Sequence, residues 1–360
     1  MITSAAAVCA LGSTLPECLE SWRAGRSGLK LQEGRLVGQI EDRSLMKGRR
    51  YGAASNLAVH VARQAVMKAG WDADQIKGSW LFAASSRGNA AELLGQNSDR
   101  RPLKRFRASN TIHSEIAAAV SIELGIRGPW QMLSSGCSSG LDALGMAWMA
   151  LRAGLTQRAL VLAVDLPLLP ELMSAFEDTH LLSLNGVNDP LSSNTTGLHM
   201  GEAGVAVTLE MNHTGLAEMT RYAANSDAFD SLMIPEDGAP LAELLRTFSS
   251  PALICPHATG TQNHSQAETS ALRAAYTDMP PLLLLKPLTG HTLGACGLLD
   301  IALIASALPN LPGNLDSLSG VSAEPFQMRS GDEILKIASG MGGHNAAVSI
   351  RVVSPRETVA

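Results

Sequence analysis

Aromatic residues are scarce in this 360-residue chain: tyrosine, phenylalanine and tryptophan together make up 4%. A core short of large rings has to be filled with aliphatic and small side chains, and 33 glycines point to elements that approach one another closely. Charge is sparse as well. Only 17% of residues are charged against 46% hydrophobic, which excludes an intrinsically disordered chain. The formal net charge of −5 argues against general nucleic-acid binding. No apolar run approaches the length of a membrane span. Met1–Gly12 is apolar but has no positively charged start, so it reads as a first strand and turn rather than a signal peptide. The cysteines, Cys9, Cys18, Cys137, Cys255 and Cys296, are odd in number and scattered, which excludes a disulfide framework and points to a reducing, cytoplasmic setting. Paired C-x-x-C and H-x-x-x-H spacings are missing, and the glycine run Gly340–Gly343 has the spacing of neither a P-loop nor a dinucleotide fingerprint.

What is present is an alternation of strand and helix signals. Apolar runs predict strands over Ile2–Leu11, Trp80–Ala84, Ala159–Val164, Gly201–Glu210, Ala252–Ile254, Leu282–Leu285, Ile334–Ala338 and Ala346–Val353. Periodic apolar positions predict helices around Leu15–Ala24, Leu57–Val66 with Gly70 as its stop, Ile112–Leu124, Glu268–Ala275 and Gly297–Leu308. This order predicts an α/β architecture. The length suggests two domains or two fused halves. Asn212–Ser250 carries the weakest pattern, so the seam is placed at its start, with halves 1–211 and 212–360. The segments opening at Gly140 and Gly297 echo each other, since each begins an apolar helix after a turn containing cysteine and glycine. Two basic clusters stand out in an acidic chain: Lys47, Arg49 and Arg50, then Arg100, Arg101, Lys104, Arg105 and Arg107. Such runs are usually solvated loops, or a docking surface for an acidic partner.

The chain is organised around Leu133-Ser134-Ser135-Gly136-Cys137-Ser138-Ser139-Gly140. Leu141, Leu144, Trp148 and Leu151 recur at helical spacing, so a helix starts at or near Cys137. A cysteine there meets the positive end of the helix dipole and unpaired backbone N–H groups, which favour the nucleophilic thiolate. The alternative is an inert, buried core cysteine. Two histidines stand at comparable places. His257 and His291 each follow a predicted strand, in loops with threonine and glycine, and Lys286 shortly precedes the second. Strand ends are where α/β folds build sites. A zinc site is the minor alternative, with Cys255 and His264 near His257, and a Cys-His protease lacks its local cysteine signature.

These motifs resemble those of the β-ketoacyl-acyl-carrier-protein synthases, the elongating ketosynthases of thiolase fold. Cys137-Ser138-Ser139-Gly140 matches the nucleophile motif, and His257-Ala258-Thr259-Gly260-Thr261 matches the first histidine loop. Lys286, Gly290, His291, Gly294 and Ala295 match the second, and Gly340-Met341-Gly342-Gly343-His344-Asn345 matches the last glycine loop. The resemblance implies a five-layer αβαβα sandwich of two pseudo-symmetric halves and a decarboxylative Claisen condensation. Cys137 would carry the acyl chain, and His257 and His291 would polarise the thioester carbonyl of malonyl-carrier protein. The N–H groups of Cys137 and Met341 would hold the oxyanion. Lys286 would orient the histidines with Glu268 as its partner, and Gly342 and Asn345 would support the loop. Lys47, Arg49 and Arg50 match a basic segment that meets the acidic acyl carrier protein. No metal or other cofactor is implied. A homodimer or heterodimer is expected, through an edge strand near the nucleophile helix.

The chain departs from the family pattern at Met341, where phenylalanine is usual, at Ala258 and Ser265, and at Asp165. It is also short for the family, which suggests a specialised polyene or polyketide route rather than housekeeping fatty-acid synthesis. The alternative function is a chain-length-factor-like partner subunit of a ketosynthase heterodimer. A thiolase would be expected to carry a second cysteine in the last glycine loop, and residues 340–343 have none.

Overall fold

Continuous apolar strands need cover on both faces, and the architecture follows from that need. The computed structural model describes residues 1–95, 106–211 and 214–353; Arg100, Arg101, Lys104 and Arg105 of the second basic cluster lie outside them. Strand β1 (Ile2–Cys9) is followed by a hairpin of β2 (Lys30–Gln32) and β3 (Arg35–Val37), then β4 (Trp80–Ala84), β5 (Trp130–Leu133), β6 (Arg158–Asp165) and β7 (Ala203–Glu210). The remainder holds β8 (Glu218–Ser226), β9 (Leu253–Cys255), a short pair β10 (Asn310–Leu311) and β11 (Phe326–Gln327), β12 (Glu333–Ser339) and β13 (His344–Arg351).

Two sheets share one plan. The first has the order β1-β7-β6-β4-β5, with β7 antiparallel to both neighbours and β6, β4 and β5 parallel. The second has the order β8-β13-β12-β9, with β13 antiparallel to both neighbours and β12 parallel to β9. A bridge from Leu282 to Ile254 occupies the place beside β9 that β5 occupies beside β4. The Ser139–Arg152 helix packs on β4 and β6 of one sheet and on β8 and β13 of the other. The Cys296–Ala307 helix packs on β1 and β7 and on β12. It is apolar on nearly every side, as a helix between two sheets has to be. The helices Ala53–Lys68 and Glu115–Leu124 cover the outer face of the first sheet; Ala239–Leu245, with Gln262–Ala275 against it, covers the second. The result is the five-layer αβαβα sandwich of the thiolase fold. Glycine makes the central layer possible: a Cβ on Gly297 would lie 2.5 Å from Cγ of Leu141, so the two central helices meet at van der Waals distance only without it. No helix among the described residues is long and apolar enough to cross a membrane.

Two segments differ from the sequence expectation. Leu282–Leu285 forms only a bridge to β9, through Ile254 N–H to Pro281 O and Leu283 N–H to Ile254 O. Pro280 and Pro281 have no N–H for a ladder, and the Lys286–Thr289 helical turn begins at once. Conversely, the weakly patterned Asn212–Ser250 stretch contains β8 and the Ala239–Leu245 helix. The helix expected over Glu268–Ala275 begins earlier, at Gln262. We propose the boundary between the halves at 211/212, in the connection from β7 to β8.

Candidate active site

The turn after β5 positions Cys137. Ser139 Oγ accepts from the Ser135 N–H (2.9 Å), a 3-10 turn spans Gly136–Ser138, and the Ser139–Arg152 helix continues from it. Gly136 has φ +64°, and a Cβ there would lie 3.5 Å from Gly340 Cα, so the turn sits directly against the last glycine loop. Ser138 Oγ donates to His344 O (2.9 Å) and fastens the two together.

His257 leaves the end of β9. Its N–H and that of Ala258 donate to the two carboxylate oxygens of Glu268, at 2.6 and 2.7 Å. His291 follows the Lys286–Thr289 turn, and its N–H donates to His199 O (2.6 Å). These supports bring the predicted residues together. Sγ of Cys137 and one ring nitrogen from each of His257 and His291 all lie within 4.8 Å of one another, and all three side chains are buried. The imidazole rings meet edge to face, with centroids 5.1 Å apart.

Hydrogen bonding sets the tautomers. The Leu293 N–H donates to Nδ1 of His291 (3.2 Å). The Lys286 ammonium lies 3.4 Å from Nδ1 of His257 and donates to the His257 carbonyl. With both Nδ1 atoms accepting, each Nε2 carries the proton and is left to donate. Burial lowers both histidine pKa values well below 6.5, and the Lys286 charge lowers them further, so both rings are neutral near pH 7. A cysteine and two histidines with ligand atoms within 4.8 Å of one another are also a possible zinc set.

Two expectations are corrected here. Glu268 holds the main chain at His257 and Ala258, and Lys286 is engaged by His257 instead. The thiolate is also not the resting form of Cys137. Burial raises the thiol pKa, Cys296 adds to the rise, and Lys286 and Arg87 only oppose it. A helix start counts for less than desolvation when the sulfur is buried.

The supporting residues fall around this centre. Met341 packs at the edge of an apolar cluster formed by Cys137, Phe176, Leu182, Leu198, Met200 and Leu293. Among the described residues no hydrogen bond engages the N–H of Cys137 or Met341. Gly342 has φ +85°, and its N–H donates to Ser231 O (3.0 Å). Asn345 accepts from Ser339 Oγ (2.6 Å) and donates to Asn225 Oδ1 (3.2 Å), joining β12, β13 and β8. Lys47, Arg49 and Arg50 are exposed just before the Ala53–Lys68 helix, away from Cys137 in sequence; Arg50 is shared with Glu123 (3.8 Å).

Sequence reasoning missed the roles of three residues, having named Asp165 only as a departure from the family pattern and His264 only as part of a zinc alternative. Asp165, at the end of β6, accepts from Ser85 Oγ and from the N–H groups of Ser86, Arg87 and Gly294 at 2.8–2.9 Å, which locks the loops flanking Cys137. Asp142 accepts from Tyr222 OH (2.8 Å) and His344 Nε2 (3.0 Å), joining the nucleophile helix to β8 and the glycine loop. His264 is buried edge-on to His257, with centroids 4.9 Å apart. Their sequence signals were a carboxylate at a strand end, an acid in a helix start and a third histidine in the first turn of the helix that follows the His257 loop.

Residues 3–214 match the profile of the beta-ketoacyl synthase N-terminal domain, and residues 204–311 that of the beta-ketoacyl synthase C-terminal domain. The tetracenomycin polyketide synthase ketoacyl synthase alpha subunit of Streptomyces glaucescens is 26% identical over 383 aligned residues, covering 90% of this chain and 88% of that one. Among solved structures, a type II polyketide-synthase acyl-carrier protein in complex with its ketosynthase bound to the hexaketide aligns with a TM-score of 0.86 at 21% identity, over 98% of both chains. The ishigamide ketosynthase/chain length factor aligns with a TM-score of 0.86 at 20% identity, also over 98% of both.

Proposed function

The chain belongs to the β-ketoacyl synthase family, and from that membership we propose that it is an active β-ketoacyl-acyl-carrier-protein synthase. The observation that carries the reading is the convergence of Cys137, His257 and His291 with both imidazoles held as neutral Nε2–H donors. In the first half-reaction Cys137 Sγ attacks the thioester of an acyl-carrier protein. The carrier's thiol leaves with the cysteine proton, and the acyl chain remains on sulfur. The Lys286 charge and the two Nε2–H donors favour the thiolate as it forms, which offsets the effect of burial.

Malonyl-carrier protein then enters. The C–C bond to its carboxylate breaks, carbon dioxide departs, and the electron pair moves into an enolate whose oxygen accepts from His257 and His291. The enolate carbon attacks the acyl-Cys137 carbonyl. The N–H groups of Cys137 and Met341 serve the tetrahedral oxyanion, and collapse expels the Cys137 thiolate, which takes a proton from solvent, and releases the β-ketoacyl-carrier protein. Lys286 positions His257 throughout. No cofactor takes part.

The polyketide relatives support a polyketide or polyene setting over fatty-acid synthesis. Lys47 and Arg49, exposed just before the Ala53–Lys68 helix, serve to dock the acidic carrier protein, with Arg50 contributing less because Glu123 shares it. The edge strand β5, half exposed along its length, serves pairing with a second ketosynthase-like chain. The test is condensation of acyl- and malonyl-carrier protein followed by mass spectrometry, with and without such a second chain. A β-keto product that disappears with Cys137→Ala supports the proposal. Absence of product under both conditions, with pathway output unchanged by Cys137→Ala in the producing cell, would leave a non-catalytic partner subunit in its place.

A further inference from the structure

We propose, resting on the ketosynthase reading, that Arg87 selects acyl chains that carry an oxygen acceptor over plain alkyl chains. Arg87 follows β4 in the loop clamped by Asp165, whose Oδ1 accepts the Arg87 N–H at 2.8 Å. That loop reaches the nucleophile turn: a Cβ on Gly294 would lie 2.8 Å from Ser86 N and 3.1 Å from Gly136 O. The guanidinium carbon stands 5.3 Å from the centroid of Phe176, a ring in the same apolar cluster as Cys137. The guanidinium therefore borders the wall that an acyl chain on Cys137 would meet, and its charge acts on the Cys137 thiol against burial.

Its bonding state sets Arg87 apart. Nε is buried with no acceptor, and the side chain makes no hydrogen bond or ion pair among the described residues. Other partly buried arginines have carboxylates: Arg35 meets Glu177, Arg43 meets Glu202 and Arg158 meets Glu210. A guanidinium is always charged and presents five donors, and an aromatic face satisfies none of their hydrogen-bonding directions. Burying its Nε–H against an aromatic ring without an acceptor costs stability unless one arrives. The substrate is the missing partner. A ketone or carboxylate oxygen on the chain supplies the acceptor, and an alkyl chain leaves the buried Nε–H without one.

The test compares acylation of Cys137 by acetoacetyl, succinyl and butyryl thioesters, read by intact mass over time. A hydrogen bond to a charged donor contributes about tenfold to a hundredfold, so the wild type is expected to take an oxygenated chain faster than butyryl by that factor. Arg87→Leu should abolish the ratio, and Arg87→Lys should restore part of it, which a merely structural role would not do. A gain confined to acetoacetyl assigns a ketone, and one confined to succinyl a carboxylate. Equal wild-type rates, or a ratio unchanged in Arg87→Leu, would overturn the proposal. Butyryl acylation reads the nucleophile without Arg87's preference, so failure of all three donors would instead bring down the ketosynthase reading, and this proposal with it.

Discussion

Replacing Glu268 with glutamine tests how the first histidine is held. Glu268 is fully buried and uses both oxygens, accepting the His257 N–H at 2.6 Å and the Ala258 N–H at 2.7 Å. Glutamine keeps the shape but has one acceptor oxygen, so its amide N–H group faces one of these donors. One charge-assisted bond is lost, worth about 1.5–3 kcal/mol, and a buried N–H is stranded at a further cost of about 1–3 kcal/mol. The expected loss is about 3–5 kcal/mol, a large share of the roughly 5–15 kcal/mol that stabilises a typical domain. Displacing His257 by about 1 Å would also slow condensation by about a hundredfold. Chemical denaturation of the two proteins reads the first effect and carrier-protein turnover the second. A stability change below about 0.5 kcal/mol, the size of a surface substitution, together with unchanged turnover would refute the idea that Glu268 holds the main chain at His257.

Other outcomes follow from the same geometry. Gly297→Ala places a methyl against Leu141 and should destabilise by about 1–3 kcal/mol, with Leu141→Ala in the same chain recovering part of it; denaturation midpoints check this. The Asp142 carboxylate raises the pKa of His344, so this contact's stabilisation is complete below pH 6.5 and is lost as pH rises through the folded value. His344→Asn should flatten that part of a melting-temperature profile between pH 6 and 9. For His257 and His291 the sign reverses. Burial depresses both values, so stability falls as pH drops below 6.5, and His291→Asn should make the acid limb of the profile shallower.

Legibility in the sequence followed how local each cause was. Strands β6 and β7 are buried on both faces, and their short, valine-rich apolar runs made them readable. Cys137 and His257 were readable because each sits in a turn built of small residues at a strand end, and His291 because threonine and glycine surround it in its loop. Strand β8 was not, because an edge strand half open to solvent keeps a polar sequence. The Leu282–Leu285 run misled because four leucines outweighed two prolines that cannot donate to a ladder. The partner of Glu268 was hidden for a different reason: a carboxylate that accepts main-chain N–H groups needs no particular residue opposite it. The Cys137 thiol was misjudged because the helix start is local, whereas the desolvation that dominates comes from distant segments packed over it. Arg87 passed unnoticed because a missing acceptor is visible only in three dimensions.

The central claim is that Cys137 is a working nucleophile. Intact-mass measurement after mixing the protein with acyl-carrier protein tests it most directly. The account predicts a single acyl adduct that maps to Cys137 and is missing in Cys137→Ala. Failure to form an adduct with any acyl donor, or an adduct that persists in Cys137→Ala, would contradict it.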